Sequence, residues 1–313
     1  MLLEPPLVLV LGALNYDLIA VAQRFPEPGE SVLGTAFYTS AGGKGGNQAV
    51  AAARLGARTR LIGRVGGDGF GKELLASLRA YGVDASGVAV EPGVTSGVAH
   101  ITVDASGQNK IVIVSGANGL CGEAELGRLR NALPLAGALL LQNELPLPLS
   151  LAAARAARAA GVPVVFDPAP AGPLPHEAYA LMDYITPNES EAAALVGFPV
   201  TDPPSGLRAA RELRRRGARA AIVKLGGQGA CYASEEGEGH VPAFRVAVVD
   251  TVGAGDAFNG ALAVARAEGK GLREAVVWAN AAGAVAVTKR GAQAAMPSRE
   301  EVEALVRQQP LAC

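Results

Sequence analysis

Histidine, cysteine and aromatic residues are scarce in this sequence, and their scarcity excludes several kinds of functional site. The 313 residues include three histidines, three cysteines and one tryptophan, and aromatic residues make up only 4% of the chain. No two of the cysteines, Cys121, Cys231 and Cys313, lie close in sequence, so the paired thiolates of a zinc site are missing. The scattered histidines form no His-Glu-x-x-His motif, which makes zinc-protease chemistry a poor hypothesis.

The motifs of three large enzyme classes are also absent. No Gly-x-Gly-x-x-Gly fingerprint occurs, which argues against a nicotinamide-dependent oxidoreductase. Each Gly-Lys pair is followed by glycine or glutamate rather than by serine or threonine, so the sequence has no P-loop. The Gly-x-Ser-x-Gly nucleophile elbow of the α/β-hydrolases is missing as well.

Neither sign of charge dominates, and charged residues are few. Lys and Arg number 28 and Asp and Glu number 29, together 18% of the chain. This balance is not typical of nucleic-acid-binding proteins, and 50% hydrophobic residues exclude intrinsic disorder.

No apolar run reaches the roughly 18 residues of a transmembrane helix, and the amino-terminal segment lacks the basic start of a signal peptide. We therefore expect a soluble, cytoplasmic protein with reduced thiols that binds neither nucleic acid nor membranes.

Short apolar strands alternate with helices over most of the chain, which predicts a mostly parallel central sheet flanked by helices. The predicted strands are residues 7–14, 59–65, 138–141, 162–166, 184–186 and 220–224, and residues 244–249 are strand-like. The predicted helices are residues 47–55, 68–80, 123–132, 149–160, 205–216, 256–268, 272–287 and 299–308, with a further helix opening at residue 188. The fold class is therefore α/β.

Two β-rich segments interrupt this alternation, at about residues 15–40 and 93–114. Each contains two β-like runs, joined by a Pro-rich turn in the first segment and by an Asp-Ala-Ser-Gly hairpin signal in the second. No linker, repeat or low-complexity stretch divides the chain. We therefore predict one α/β domain over residues 1–313, with a small β sheet inserted from these two segments.

The strongest motif covers residues 250–260 and opens an Ala-rich helix. Gly253, Ala254 and Gly255 are small, so the backbone can turn tightly and leave N–H groups free at the helix N-terminus, where phosphates bind. Asp256 follows directly, and a carboxylate beside a phosphoryl group can accept the proton of an attacking hydroxyl. A capped helix without a ligand would explain the same residues, because Asp is a preferred cap.

A second glycine-rich motif, residues 42–48, also precedes an Ala-rich helix. It reads Gly-Gly-Lys-Gly-Gly-Asn-Gln, and so many glycines let a polar ligand approach the backbone. Lys44 and Asn47 add a cation and an amide. The alternative is a flexible loop with a capping asparagine.

Polar residues also follow several predicted strands, at the end where open α/β sheets bind ligands. Asn15 and Asp17 follow the first strand and, two residues apart in an extended chain, face the same side. They could hold sugar hydroxyls, or close the strand as an Asx turn. Glu144 is a lone carboxylate after another strand, and the Gly-rich stretch after Lys224 suits either a nucleotide or a hairpin.

Asn188 and Glu191 lie at a further strand-to-helix junction, three residues apart and therefore on one helical face. This spacing could hold a hydrated Mg²⁺ near phosphates, since Mg²⁺ keeps several waters and needs few protein ligands. It also suits a capping box, with Asn188 as the cap and Glu191 reaching back. The two interpretations are compatible.

Together, and in this order, these motifs resemble the ribokinase family of carbohydrate kinases (the PfkB group). The resemblance extends from residues 11–17 to residues 288–293, and the two family signatures match residues 42–48 and 250–260. Because the first signature contains a lysine, the sequence resembles the ribose-phosphorylating members of the family. Fructokinase-like and ketodeoxygluconate-kinase-like members usually lack this lysine. The resemblance implies ATP-dependent phosphorylation of D-ribose at its 5-hydroxyl.

The resemblance also implies a role for each motif residue. Asp256 would be the base, and Gly253, Ala254 and Gly255 would form the anion hole for the γ-phosphate. The residues implied to hold the sugar are Asn15, Asp17, Gly43, Lys44, Asn47, Glu144 and Asp256. Those implied to line the ATP site are Asn188, Lys224, Gly226, Gly229, Gly255 and Asn280, with Glu191 organising Mg²⁺ through water. Those implied to hold a monovalent cation, usually K⁺, are Asp250, Val252, Ala286, Lys289, Gly291 and Ala295, mostly through backbone carbonyls.

Three of these positions depart from the most familiar members of the family. Lys224 replaces a small hydroxyl residue and could add a phosphate contact. Asn280 stands where histidine is common, and Ala295 replaces a serine. These changes leave the nucleotide preference open.

The implied fold is a ribokinase-like three-layer α/β fold in which the two β segments form a lid over the sugar. In the family the lid often pairs between subunits, which implies a homodimer and would protect the exposed strand edges. Two alternatives remain. One is the same chemistry on deoxyribose, a ketose, ketodeoxygluconate or a nucleoside, although few aromatic residues are available to stack on a base. The other is a non-catalytic sugar-binding protein, which would have no need of a base at Asp256.

Overall fold

The computed structural model describes residues 4–310, which form thirteen strands and ten α-helices. The strands are β1 Leu7–Leu11, β2 Asn15–Ala22, β3 Gly34–Gly42, β4 Arg58–Gly66, β5 Asp84–Glu91, β6 Gly97–Val103, β7 Asn109–Val114, β8 Ala136–Gln142, β9 Val164–Asp167, β10 Tyr184–Ile185, β11 Ala220–Lys224, β12 Ala230–Ser234 and β13 Gly237–Val241. The helices are α1 Lys44–Arg54, α2 Gly69–Ala80, α3 Glu123–Ala132, α4 Leu147–Ala159, α5 His176–Tyr179, α6 Glu189–Val196, α7 Pro203–Arg215, α8 Ala254–Ala267, α9 Leu272–Ala286 and α10 Arg299–Gln308.

Nine of the strands form one large sheet, in the order β13-β12-β11-β10-β9-β8-β1-β4-β5. Neighbours in this sheet are parallel except for β11–β12 and β12–β13, which are antiparallel. Helices cover both faces, so the predicted three-layer α/β fold is confirmed. Because the parallel strands point the same way, the loops after β1, β8, β9, β10 and β11 meet at one edge of the sheet.

Alternate side chains of the central strand β1 enter two separate cores, one on each face of the sheet. Val8 and Val10 pack into the core beneath α1, α2, α8, α9 and α10. Leu7, Leu9 and Leu11 pack into the core beneath α3, α4, α6 and α7. A strand that is buried on both faces needs no polar alternation, which is why this segment is a continuous apolar run.

The smaller sheet is formed by the two segments that interrupt the α/β alternation. Its order is β3-β2-β6-β7, with β2 antiparallel to β3 and parallel to β6, and β6 antiparallel to β7. The edge strand β7 is exposed along its whole length, and so is most of β3. The sheet meets the body of the protein at α2, where the ring of Tyr16 stacks on Phe70 with 4.5 Å between centroids. The assignment of all residues to a single domain stays a prediction.

The sequence-based assignment of elements is wrong at several places. It gives no strand at β5, β12 or β13, where the structure forms all three. It also predicts a strand at residues 244–249, which instead form an irregular segment. This segment follows Pro242, which has no N–H to donate to a strand ladder, and its apolar residues Phe244, Val246 and Val248 line a large cleft. The first strand ends at Leu11 rather than at residue 14.

Two further expectations concern the cysteines and membranes. Cys121 and Cys231 are buried and form no disulfide, and Cys313 lies outside the described residues. No helix in residues 4–310 is long and apolar enough to cross a membrane. The cytoplasmic location and the lack of nucleic-acid partners stay predictions.

Helices α1 and α8 approach closely because small residues face each other where they cross. A Cβ atom added to Gly260 of α8 would lie 2.6 Å from the Cβ of Ala51 and 3.0 Å from the amide nitrogen of Ala52. Real side chains essentially never make a contact as short as the first, and the second is tighter than most. The glycine therefore sets the distance between the two helices.

We expect Gly260→Ala to lower the free energy of unfolding by about 1–3 kcal/mol, because overpacking outweighs the roughly 1 kcal/mol that alanine adds to a helix. Urea denaturation measures this change. The matched control is Gly127→Ala in α3, where an added Cβ meets no atom within 4 Å and where we expect unchanged or slightly higher stability. An equal response of the two variants would contradict the packing argument.

Candidate active site

Helix α8 begins with a tight turn that leaves its first N–H groups without partners inside the helix. Gly253 is the cap residue, with φ at 76°, a left-handed conformation that glycine adopts without strain. Ala254 and Gly255 form the start of the helix. The helix dipole adds partial positive charge at this end, so the turn is suited to hold an anion.

Asp256 lies in the first turn of α8 and is only 5% exposed. Asn47 Nδ2 donates to its Oδ2 at 2.9 Å, and Gln48 Nε2 donates to its Oδ1 at 3.0 Å. Burial raises the pKa of Asp256, and the nearby ammonium of Lys44 opposes this rise. A carboxylate held by two amides beside an anion-binding turn is placed to accept a proton.

The glycine motif is not a loop that precedes a helix, because α1 begins inside it, at Lys44 rather than at residue 47. Gly43 caps the helix with φ at 80°. A Cβ at Gly45 would lie 2.5 Å from the carbonyl carbon of Gly12. Gly43 therefore caps α1, and Gly45 lets the helix pack closely against the backbone of Gly12. Both glycines occur here although glycine has a low intrinsic helix propensity.

Two of the polar residues that the sequence predicts for the sugar, Asp17 and Glu144, lie close enough to Asp256 for its charge to raise their pKa values. Burial, together with the charges of Glu144 and Asp256, raises the pKa of Asp17 to about 7. Burial likewise raises the pKa of Glu144 to about 7, although its Oε2 accepts a hydrogen bond from the Lys44 N–H at 2.9 Å. Asn15 is buried beside them in β2. The cluster offers acceptors for several hydroxyl groups.

Two lysine ammonium groups contact one buried carboxylate, Asp167, at the end of β9. Lys224 Nζ lies 3.1 Å from Asp167 Oδ1, and Lys44 Nζ lies 3.6 Å from Asp167 Oδ2. Burial raises the pKa of Asp167, but the two lysines outweigh it and hold this pKa below its usual value. Asp167 is therefore ionised.

A cleft of about 1130 Å³ opens beside the turn at the start of α8 and is large enough for a nucleotide. The residues that the sequence predicts for the ATP site all lie in its wall: Asn188, Lys224, Gly226, Gly229, Gly255 and Asn280. Lys44 and Asp256 line it as well. The glycine turn that follows Lys224 also joins β11 to the antiparallel β12, which confirms the hairpin, while nucleotide binding by this stretch stays a prediction.

Asn188 and Glu191 form the predicted capping box at the start of α6 and also line the cleft. Asn188 Oδ1 accepts from the Glu191 N–H, and Glu191 Oε2 accepts from the Asn188 N–H, both at 2.9 Å. Burial raises the pKa of Glu191. Within residues 4–310, no three His, Cys, Asp or Glu side chains come together as a metal-binding group.

The positions predicted to hold a monovalent cation lie on two segments that Asp250 joins. Asp250 Oδ1 accepts from the Val252 N–H and its Oδ2 accepts from the Gly291 N–H, each at 3.0 Å. The ammonium of Lys289 is paired with Glu301 at 2.7 Å. Its charge is thus neutralised, and the backbone carbonyls of these segments are the oxygens suited to a hard cation.

Several residues of the site are missed by the sequence analysis. Gln48 Nε2 donates to Asp167 Oδ2 at 3.0 Å as well as to Asp256, and Gln48 Oε1 accepts from Gln142 Nε2 at 2.7 Å. Asn118 Nδ2 donates to Asn15 Oδ1 at 2.9 Å. Asp167 directly follows a predicted strand, the same signal that singled out Asn15. No local signal marks Asn118.

The arrangement brings a buried carboxylate, an anion-binding turn, two cations and a large cleft to one edge of the sheet. A base accepts the proton of a hydroxyl nucleophile, and N–H groups and cations stabilise the charge on a moving phosphoryl group. The geometry is therefore that of an enzyme that transfers a phosphoryl group to an alcohol.

The chain belongs to the pfkB family of carbohydrate kinases, whose family profile matches residues 5–299. This match confirms the resemblance seen in the sequence. A ribokinase from Bacillus subtilis is 40% identical over 299 residues, which cover 96% of this chain and 99% of the relative. A ribokinase from Haemophilus influenzae is 39% identical over 293 residues, which cover 93% and 95%.

A solved structure supports the same assignment. The ribokinase of Arabidopsis thaliana, determined in complex with ribose and ATP, has a TM-score of 0.88 to this chain at 35% sequence identity. The match covers 97% of this chain and 99% of that one. The two sheets and the flanking helices are thus those of the family.

We expect Lys44→Met to raise the pKa of Glu144 further above 7, because the variant removes an ammonium that lowers this pKa. The backbone N–H of residue 44 remains and keeps its hydrogen bond. Carboxyl ¹³C shifts recorded against pH measure the change, with Lys72→Met on the exposed face of α2 as the control. An unchanged Glu144 pKa in Lys44→Met would contradict the charge coupling.

Proposed function

We propose that this protein transfers the γ-phosphoryl group of ATP to the 5-hydroxyl of D-ribose and releases D-ribose 5-phosphate and ADP. The observation that carries the proposal is the position of Asp256. This buried carboxylate lies in the first turn of α8, directly after the anion-binding turn, between the cleft of about 1130 Å³ and the polar cluster around Asp17 and Glu144.

In the proposed reaction Asp256 acts as the general base. It takes the proton of the 5-hydroxyl while the sugar oxygen forms a bond to the γ-phosphorus. The bond from this phosphorus to the bridging oxygen breaks, and ADP leaves with the electron pair. The N–H groups of Gly253, Ala254 and Gly255 stabilise the charge on the transferred group. Asn47 and Gln48 hold the base in place through their amides.

The sugar is held by polar groups on two elements. The proposed contacts are Asn15, Asp17, Gly43, Lys44, Asn47 and Glu144. Ionised carboxylates accept hydrogen bonds from hydroxyl groups more strongly than neutral ones. Burial raises the pKa values of Asp17 and Glu144 to about 7, because their ionised forms are costly to bury. The hydroxyl groups of a bound sugar would donate hydrogen bonds to these carboxylates and so reduce that cost.

The nucleotide occupies the cleft, against Asn188, Lys224, Gly226, Gly229, Gly255 and Asn280. Glu191 and Asn188 supply a carboxylate and an amide oxygen at the cleft wall, which suit a hydrated Mg²⁺. Mg²⁺ bound there would neutralise charge on the phosphates of ATP.

A monovalent cation, K⁺ in our proposal, binds between the two segments that Asp250 joins. The remaining positions are Ala286, at the end of α9, and Ala295, in a 3₁₀ turn. A Cβ at Gly253 would lie 3.5 Å from the Cα of Ala292, so this region touches the anion-binding turn. A cation bound here would fix the carbonyls behind that turn.

The smaller sheet acts as a lid over the sugar and as a dimer interface. Asp17 lies on its strand β2, so this sheet carries part of the sugar site. Large apolar side chains are exposed on its edge strands, among them Phe37 at 67% and Val112 at 64%. Such edges are protected when they pair with a second copy.

A substrate panel tests the proposal. We expect ATP consumption with Mg²⁺ and K⁺ to be fastest by kcat/KM on D-ribose, compared with deoxyribose, fructose, ketodeoxygluconate and adenosine. Replacing K⁺ with tetramethylammonium should lower the rate, and an unchanged rate would argue against the cation site. Preference for another acceptor would overturn the sugar assignment, and no turnover on any would overturn the kinase proposal.

We expect Asp256→Asn to lower kcat by about 10²–10⁴-fold, because the amide cannot accept the hydroxyl proton. Ribose binding, measured by calorimetry, should survive. The matched control is Asp183→Asn, directly before β10, where the carboxylate accepts from the Val164 N–H at 2.9 Å, at the opposite end of the strands from the site. Near-normal turnover by Asp256→Asn would remove this residue as the base.

We expect the protein to sediment as a dimer of its 31.6 kDa chain. Ile111→Ser combined with Val112→Ser on β7 should shift it towards monomer, since both residues are exposed on the proposed interface. The control is Leu135→Ser, another exposed apolar residue, outside the smaller sheet. A monomeric wild-type protein would contradict the interface.

A further inference from the structure

One buried carboxylate lies behind both cations of the proposed reaction centre. Asp167 is 1% exposed and is not part of the cleft wall, whereas Lys44 and Lys224 both line the cleft. The side chain of Lys44 keeps 29% of its surface exposed and that of Lys224 keeps 13%. A ligand in the cleft can therefore reach both lysine side chains without contacting Asp167.

The two ammonium groups approach the same point from different elements. Lys224 ends β11, and its Nζ would be 3.4 Å from a Cβ at Gly255, so it lies against the anion-binding turn. Lys44 opens α1, and its Nζ lies 4.0 Å from Asp256 Oδ1. The point where they meet is between the base and the turn.

Two positive charges so close would repel each other if no anion lay between them. Asp167 supplies that anion through its contacts with both lysines, at 3.1 Å and 3.6 Å. Gln48 Nε2 donates to Asp167 Oδ2 at 3.0 Å and fixes the orientation of the carboxylate. The lysines are thus held in place before any phosphate arrives.

We propose that Asp167 is a positioning residue that directs Lys44 and Lys224 at the transferred phosphoryl group, with Lys224 as a direct contact of that group. The proposal rests on the proposed kinase function. As the sugar oxygen bonds to phosphorus, the proton passes to Asp256 and the electron pair of the broken P–O bond leaves with ADP. Two ammonium groups already in place stabilise the charge in this transition state without reorganisation.

The first test is Asp167→Asn, which keeps the shape of the side chain and removes its charge. We expect kcat to fall about 10- to 100-fold, since both lysines lose their anchor, while the KM for the sugar rises by a smaller factor, because Lys44 is only one of the proposed sugar contacts. The matched control is Glu125→Gln, because Glu125 is also fully buried and also contacts two cations, Arg64 and Arg128, outside the cleft wall. That variant should lose thermal stability and keep its kcat.

Variants of Lys224 separate positioning from folding. Lys224→Met should lower kcat to a similar extent, and Lys224→Arg should retain most of it. The double variant Asp167→Asn/Lys224→Met should be no slower than the slower single variant, because the two residues act as one unit.

Three results would overturn the inference. In the first, kcat of the double variant falls by the product of the two single effects. In the second, Asp167→Asn or Lys224→Met keeps the wild-type kcat. In the third, Glu125→Gln loses as much kcat as Asp167→Asn does. If Asp167→Asn does not fold, the kcat values of Lys224→Met and Lys224→Arg decide. An inactive wild-type protein would instead overturn the proposed function.

Discussion

The close contact between helices α1 and α8 is the constraint on which the rest of the site depends. Asp256 belongs to α8, but the amides that hold it, on Asn47 and Gln48, belong to α1. This pairing requires that the helix axes approach, and the missing side chain at Gly260 permits that approach. The anion-binding turn and Lys44 then lie beside the base, because they occupy the first turns of the same two helices.

The site concentrates charge that an ordinary protein interior would not tolerate. Asp17, Glu144, Asp167 and Asp256 are all wholly or largely buried, and several of them raise the pKa values of the others. Burying so many carboxylates costs stability unless each has partners. Asp167 contacts two lysines and Gln48, and its pKa is lowered, whereas burial raises the pKa values of the other three. These raised pKa values agree with the common finding that perturbed groups cluster at functional sites.

Much of this site could be predicted from sequence, because it depends on two local rules. Polar residues at strand ends and small residues before a helix are visible in the chain itself, and they located Asn15, Glu144 and the turn before Asp256. What could not be predicted depends on contacts between distant segments. The first turn of α1 packs against the backbone of Gly12, which lies 33 positions before Gly45 in the chain. The role of Asp167 requires two lysines from other elements, and the irregular course of residues 244–249 depends on the cleft that they line.

The proposed sugar site is divided between the two sheets. This division affects how the protein would discriminate between a sugar and water as the acceptor of the phosphoryl group. Asp17 is carried by the smaller sheet, whereas Asp256 and Glu144 are carried by the body. In the proposed function, a sugar held by Asp17 and by Glu144 would link the two sheets. A single water molecule would not link the two sheets in this way. This division would thereby suppress wasteful hydrolysis of ATP when no sugar is present.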